Sequence, residues 1–252
     1  MGLLSVVIIT YNEEKHIGRC IDSVRNVADE IIVLDSYSTD ETVNIARLKG
    51  AIIHTSKFEG YIQQKSKALT YATNDYVLSL DADEALDDRL LKSVGEAKQH
   101  FTYKAYRMNR CAFYCGKFIR HGTWYPEPKV RLFDRRFVSW GGLDPHDRII
   151  YPSNLSVGNL KGDILHNICE SLEEHKARTE NFSTLAARTL YNLGRRTNWL
   201  KILASPAWFF VFDYFIRAGF LNGKQGWWIT TNQAKYHYLK YLKLFRMRRG
   251  NQ

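Results

Sequence analysis

Leu3-Leu4-Ser5-Val6-Val7-Ile8-Ile9-Thr10 is an apolar, largely β-branched run broken by one serine, and it stops at Tyr11-Asn12-Glu13-Glu14. A strand with no polar face belongs inside a parallel sheet that is covered by helices on both sides. Working outward, Ile17, Ile21 and Val24 recur at helical spacing after Asn12, a residue suited to an N-cap. A second buried strand, Glu30 to Asp35, is followed by Ser38-Thr39-Asp40-Glu41, which has the form of a capping box, and by a helix that stops at Gly50. Ala51 to His54 reads as a third strand, Gln63 to Ala72 as a helix, and Tyr76 to Leu80 as a fourth strand running into Asp81-Ala82-Asp83-Glu84. Four strand-helix alternations predict an α/β fold with a mostly parallel, Rossmann-like sheet. From Tyr103 to Tyr151 shorter strand-like pieces follow, Val130 to Phe133 the clearest; from Ser171, in a second Ser-x-x-Glu box with Glu174, the chain reads helical to its end.

In such sheets, polar residues at the carboxyl ends of strands line the ligand crevice. Here these are Thr10-Tyr11-Asn12, Asp35 and Asp81-Ala82-Asp83. Two carboxylates one residue apart at a strand mouth can hold a divalent cation and leave coordination sites for phosphates, or they can form a solvated turn whose Asp caps the next helix. Asp35 is placed to accept a hydrogen bond from a base or ribose.

Ser5 to Glu14, Asp35-Ser36-Tyr37-Ser38-Thr39-Asp40-Glu41-Thr42 and Asp81-Ala82-Asp83-Glu84, in that order, resemble the nucleotide-sugar motifs of inverting family 2 glycosyltransferases with the GT-A fold. Arg131-Leu132-Phe133, Pro145-His146-Asp147 and Ala218-Gly219-Phe220-Leu221-Asn222-Gly223 are similar to the subgroup that adds glucose to the lipopolysaccharide core. The resemblance implies a UDP-sugar donor, with Thr10, Tyr11, Asn12 and Glu13 beside the base and Asp35 on the uracil imide. It implies Lys65 and Ala82 near the nucleotide, and Asp81 facing the ribose and metal. Asp83 is then the principal ligand of Mg²⁺ or Mn²⁺. Lys65-Ser66 stands where the family often carries Arg-Asn. Asp147 is the expected base for the acceptor hydroxyl and Asp144 the runner-up; the competing reading pairs Asp147 with Arg131 or Arg148. His166 is either a further metal ligand or a structural residue. Cys111 and Cys115, with His121 nearby, have the spacing of a zinc ligand pair, but no second pair completes it.

The 252 residues are 45% apolar and 25% charged, the composition of a folded protein, and four scattered cysteines read as reduced thiols. Residues 1–170 hold 22 Lys+Arg against 22 Asp+Glu and residues 171–252 hold 14 against 4, so the net charge of +10 belongs entirely to the last third. Two regions follow: 1–170 as the catalytic domain, with a nucleotide-sugar half over 1–100 and an acceptor half over 101–170, and 171–252 as a basic, aromatic helical extension. The start lacks a basic n-region, and Val6 stands where a myristoylation signal needs Ser or Thr, so neither export nor acylation is expected. Ile202 to Phe212, the longest uncharged aromatic stretch, has eleven residues and contains Pro206, where a bilayer span needs roughly 20, so no membrane-spanning helix is expected either. The expected place is the cytoplasmic face of the membrane, with the basic tail on anionic lipid and a lipid-linked glycan or lipopolysaccharide core as acceptor. A nucleotidyltransferase acting on a sugar phosphate is the competing enzyme. A nucleic-acid-binding protein is the competing binding module, disfavoured by confinement of the charge to the tail.

Overall fold

The structure, a computed structural model, describes residues 2–143 and 146–249, so Asp144 lies outside the described residues. The chain divides into two compact units, Met1–Arg110 with Glu127–His166, and Cys111–Pro126 with Asn167–Gln252. A single cut at residue 170 does not describe this division. Two long strands, β6 (Ala105–Tyr114) and β11 (Val157–Cys169), run on past the ends of the first unit. Ala112, Tyr114 and Ile119 then share an apolar cluster with Cys169 and Ile229.

In the first unit β1 (Leu4–Thr10) is buried along its whole length, as its uninterrupted apolar run requires. It pairs in parallel with β2 (Glu30–Asp35) and β4 (Tyr76–Asp81), and β2 with β3 (Ile52–Thr55). Beyond β4 the sheet turns antiparallel: β8 (Glu127–Asp134) pairs with β4 and with β6, and β5 (Glu84–Leu86) pairs with β11. The sheet is therefore parallel in its first half only. Strand alternation divides the core. Leu4, Val6 and Ile8 face Ile17, Ile21 and Val24 of α1 (Ile17–Val24) and Leu90 and Val94 of α4 (Asp88–His100), while Val7 and Ile9 face Ala68 of α3 (Tyr61–Tyr71) with Phe133 and Trp140. A separate hairpin of β9 (Ser139–Leu143) and β10 (His146–Ile150) sets Asp147 opposite Gly142.

Two expected caps are absent. Asn12 adopts a left-handed backbone (φ 53°) and its Oδ1 accepts from the Thr39 N–H at 2.8 Å, stitching the loop after β1 to the loop after β2. Ser38 bonds Asp35, while Asp40 accepts from the Thr42 N–H at 3.0 Å at the start of α2 (Thr42–Leu48). Ser38 Oγ also accepts from the Asn12 N–H at 2.8 Å, so Asn12 and Ser38 each bond the other's loop in place of capping a helix.

The second unit holds the two-residue β7 (Lys117–Phe118), α5 (Leu172–Asn192), α6 (Trp199–Phe210), a π-helical turn (Val211–Ile216), a 3₁₀ turn (Gly219–Asn222) and α7 (Lys224–Arg249). Ser171 caps α5 by accepting from the Glu174 N–H at 3.1 Å, but the Glu174 carboxylate reaches back to Glu170 N–H, one residue before the box position. Gly226 allows close packing, because a Cβ there would lie 2.0 Å from the Gly219 carbonyl oxygen. Asp213, on the π turn, is buried and accepts from the Thr123 N–H (2.6 Å), the Thr123 hydroxyl (2.8 Å) and the Thr230 hydroxyl.

His175 in α5 is hydrogen-bonded to the Tyr114 hydroxyl at 2.8 Å. Burial, with Arg178 adding to it, lowers its pKa to about 4, and burial with Lys240 does the same for His237, also to about 4. Below about pH 6.5 the unfolded chain takes up protons that these folded imidazoles refuse, so stability is full above that pH and falls toward pH 4. For His175 the slope is at most about 1.4 kcal/mol per pH unit, with His237 acting in the same direction. Urea unfolding at pH 7, 6 and 5 should show decreasing stability; a flat profile across that range would contradict the assignment.

Candidate active site

The ends of β1, β2 and β4 bring the expected residues to one side of the first unit. Thr10 is in register with Asp35, buried, and its Oγ1 has no hydrogen-bond partner among the described residues. Tyr11 is exposed. Glu13 is held at its backbone, its N–H on the Thr42 hydroxyl at 2.7 Å and its carbonyl on the first turn of α1. Asp35 is buried, and Ser38 donates to both its oxygens, from N–H at 2.9 Å and from the hydroxyl at 2.5 Å. Ala82 is buried, with its N–H on the Ile9 carbonyl at 3.1 Å.

The centre of the site is a charge cluster. Lys65, 1% exposed, places Nζ 2.9 Å from Asp81 Oδ1 and 2.9 Å from Asp147 Oδ2. Arg131 from β8 places Nη2 3.2 Å from Asp81 and 3.4 Å from Glu84 Oε1. Arg110 from β6 reaches Glu84 at 3.2 Å and forms a two-pronged pair with Glu127 at 2.7 and 2.9 Å. Glu84 is fully buried and its other oxygen accepts from the Asp81 N–H at 3.0 Å, which fixes the turn after β4. Lys65 and Arg131 lie over the Trp140 ring, 5.0 and 5.5 Å from its centroid, so the indole forms an attractive floor beneath both cations. Burial alone would raise the Asp81 pKa; Lys65 and Arg131 outweigh it and hold the carboxyl well below the usual range. Burial likewise opposes ionisation of Glu127, yet Arg110 brings its pKa down to about 2.

A cavity of about 800 Å³ opens on this cluster, lined by Lys65, Asp81, Lys129, Arg131, Asp147 and Arg148 among others. Arg131 is 3% exposed, and its Nε and Nη1 have no hydrogen-bond partner among the described residues, a donor pair suited to an anionic oxygen. Asp147 pairs with Lys65 and not with Arg131 or Arg148; its Oδ1 makes no hydrogen bond to the described residues.

The Asp81 and Asp83 carboxylates have different partners. Asp81 turns to the cations, whereas Asp83 Oδ2 lies 3.2 Å from His166 Nε2 on β11. No group of three His, Cys, Asp or Glu side chains suited to a metal ion is found among the described residues. Strand alternation would put residues two apart on one face, but β4 ends at Asp81 and Ala82 and Asp83 form the turn after it, so the two carboxylates meet different neighbours. Cys111 is buried with its thiol on the Ile119 carbonyl at 3.4 Å, consistent with a structural thiol. In the sequence Glu84 is legible only as the last residue of the acidic motif, and Arg110 and Glu127 carry no local signal.

An α/β sheet whose parallel strand ends meet an acidic turn beside a cationic cavity is the setting of a transferase, and the family of the chain gives its class. Residues 5–150 match Glycosyl transferase family 2, and the chain belongs to that family. An uncharacterized glycosyltransferase of Rickettsia typhi is 30% identical over 98% of this chain and 87% of its own length. The lipopolysaccharide core biosynthesis glycosyltransferase LpsC of Rhizobium meliloti is 28% identical over 96% of this chain and 92% of its own. A solved structure, glucosyl-3-phosphoglycerate synthase of Mycobacterium tuberculosis with Mn²⁺, UDP and product, aligns with a TM-score of 0.37 at 27% identity, covering 46% of this chain and 45% of that one. The fold is GT-A, the protein is a glycosyltransferase, and the nucleotidyltransferase and nucleic-acid-binding readings fall away.

Glu84→Gln tests the cluster. Removing a fully buried negative charge leaves Arg131 undercompensated and should cost about 3 kcal/mol of stability. Urea unfolding reads this directly, and an unchanged midpoint would mean that the cluster does not hold the turn.

Proposed function

We propose that the chain is an inverting glycosyltransferase that moves a hexose, such as glucose, from a UDP-sugar to a hydroxyl of a lipopolysaccharide core or other lipid-linked glycan, at the cytoplasmic face of the membrane. The observation that carries this reading is the cavity in which an ion-paired carboxylate, Asp147, stands among Lys65, Arg131 and Arg148. Departure of a nucleoside diphosphate develops negative charge, and buried cations already in place stabilise it without reorganising. Arg131 Nε and Nη1 are the donors left for a diphosphate oxygen. Thr10, Tyr11, Asn12, Glu13 and Asp35 hold the uridine, with the exposed Tyr11 ring against the base.

Asp147 is the base. A carboxylate that accepts the acceptor's proton during attack makes a poor hydroxyl nucleophile competent, and direct displacement inverts the anomeric carbon with no enzyme nucleophile. Lys65 positions Asp147 through the 2.9 Å pair. Asp83 and His166 supply one carboxylate oxygen and one imidazole nitrogen, which fits a divalent cation that takes its remaining ligands from phosphate and water. Mg²⁺ or Mn²⁺ held there, with Asp81 at the neighbouring strand end, would supply charge neutralisation for the leaving diphosphate. The similarity to LpsC supports the acceptor class.

A panel of nucleotide sugars scored for nucleotide release identifies the donor. Asp83→Ala should abolish the metal dependence of UDP binding by calorimetry, and unchanged metal-assisted binding would refute the ligand assignment. Asp147→Asn should lower kcat by roughly 10²-fold or more with UDP affinity near wild type. Full activity in that variant, with loss in Asp144→Asn, would move the base to Asp144.

A further inference from the structure

Trp199–Ile216 forms one helical run of 18 residues, through Pro206 and the π turn, with mean hydropathy 1.3, long and apolar enough by length and composition to cross a membrane. The helix thus runs on past both ends of the uncharged stretch Ile202 to Phe212. Its outward side is an unbroken apolar stripe. Leu200, Ala204, Trp208, Val211 and Phe215 follow one another at helical spacing, flanked by Leu203, and all are exposed, with Leu200 at 75%, Leu203 at 62% and Trp208 at 64%. Its inward side, with Ile202 and Asp213 buried, packs along α7.

The charge pattern around the stripe names its occupant. From Leu193 to Arg249 the sole acidic residue is Asp213, and it is buried under the Thr123 and Thr230 hydrogen bonds. The exposed charges beside the stripe are Arg195, Arg196, Lys201, Arg217 and Lys224, all positive. Two such surfaces from two copies would repel, whereas an anionic lipid surface complements them. The helix cannot cross, because α7 packed on it would carry Lys235 and Lys240 into the hydrocarbon. We propose that the stripe Leu200–Phe215 lies in the plane of an anionic bilayer with its apolar side chains inserted below the headgroups.

Two of the cations farther along α7 are engaged within the second unit, while Arg246 and Arg249 are exposed. Lys243 is spent on Glu180, Ser183 and Thr184 of α5, and Arg248 on the Tyr191 and Arg195 carbonyls. The proposal rests on the second unit alone and is independent of the catalytic reading.

The test is co-sedimentation of the full chain with vesicles of phosphatidylglycerol and phosphatidylethanolamine, and with phosphatidylcholine alone. Wild type should sediment with the anionic vesicles and retain part of that binding in high salt. L203E combined with W208E should weaken it by about 10-fold or more, with the circular dichroism melt and UDP binding unchanged. In a second measurement, lipids brominated along their acyl chains should quench wild-type tryptophan fluorescence. Absence of vesicle binding or of quenching by wild type would overturn the proposal. Undiminished binding of the folded double variant would do the same, as would a wild-type dimer in sedimentation velocity that the variant dissolves. Loss of UDP binding in wild type itself would instead count against the proposed donor and leave the membrane surface standing.

Discussion

Charges cannot be taken out of water singly, and the end of β4 takes several at once. Asp81 and Glu84 sit three residues apart around a tight turn, the second without solvent contact, and neither is tolerable there without Lys65, Arg131 and Arg110. Those cations come from α3, β8 and β6, three elements far apart in the chain. The antiparallel half of the sheet must therefore return alongside β4 for the turn to exist. The same requirement draws β10 over the site, since Lys65 is shared between Asp81 and Asp147.

The cluster is also a reservoir of directed charge. Its acids are satisfied by one face of each cation, while Arg131 keeps two buried N–H groups unused and Arg148 lines the cavity. Trp140 beneath Lys65 and Arg131 adds attraction without adding a negative group that would compete with an incoming phosphate. Cations already held by buried partners need no rearrangement to face a developing negative charge, which is the condition for electrostatic stabilisation of a leaving group.

The second unit separates two properties that its composition mixes. Basic residues near the end of α7 are consumed in holding α5, and Lys240 rests on the Tyr236 and Tyr241 rings. The apolar side chains that a water-soluble helix pair would be expected to bury are left outside instead, along α6 and the π turn. A large exposed apolar stripe bordered by cations has a physical reason only where water is not the neighbouring phase.

Hydrophobic period determined the parallel half of the protein from sequence alone. Seven consecutive buried positions in β1, the four parallel strands with the three helices between them and the strand-end residues Thr10, Asp35 and Asp81 were all legible, because backbone geometry converts local pattern into face and end. Family membership was legible for the same reason, since its motifs are contiguous and sit at those ends. Tertiary structure decided everything that depends on residues distant in the chain. It assigned Asp81 to Lys65 and Arg131 and Asp83 to His166, paired Asp147 with Lys65 across 82 positions, and recruited Arg110, Glu127 and Trp140. It decided too which of the tail's cations are occupied and which apolar side chains face outward. Pairing of charges is settled by three-dimensional proximity and by the cost of leaving one unpaired, and neither has a period that a sequence can display.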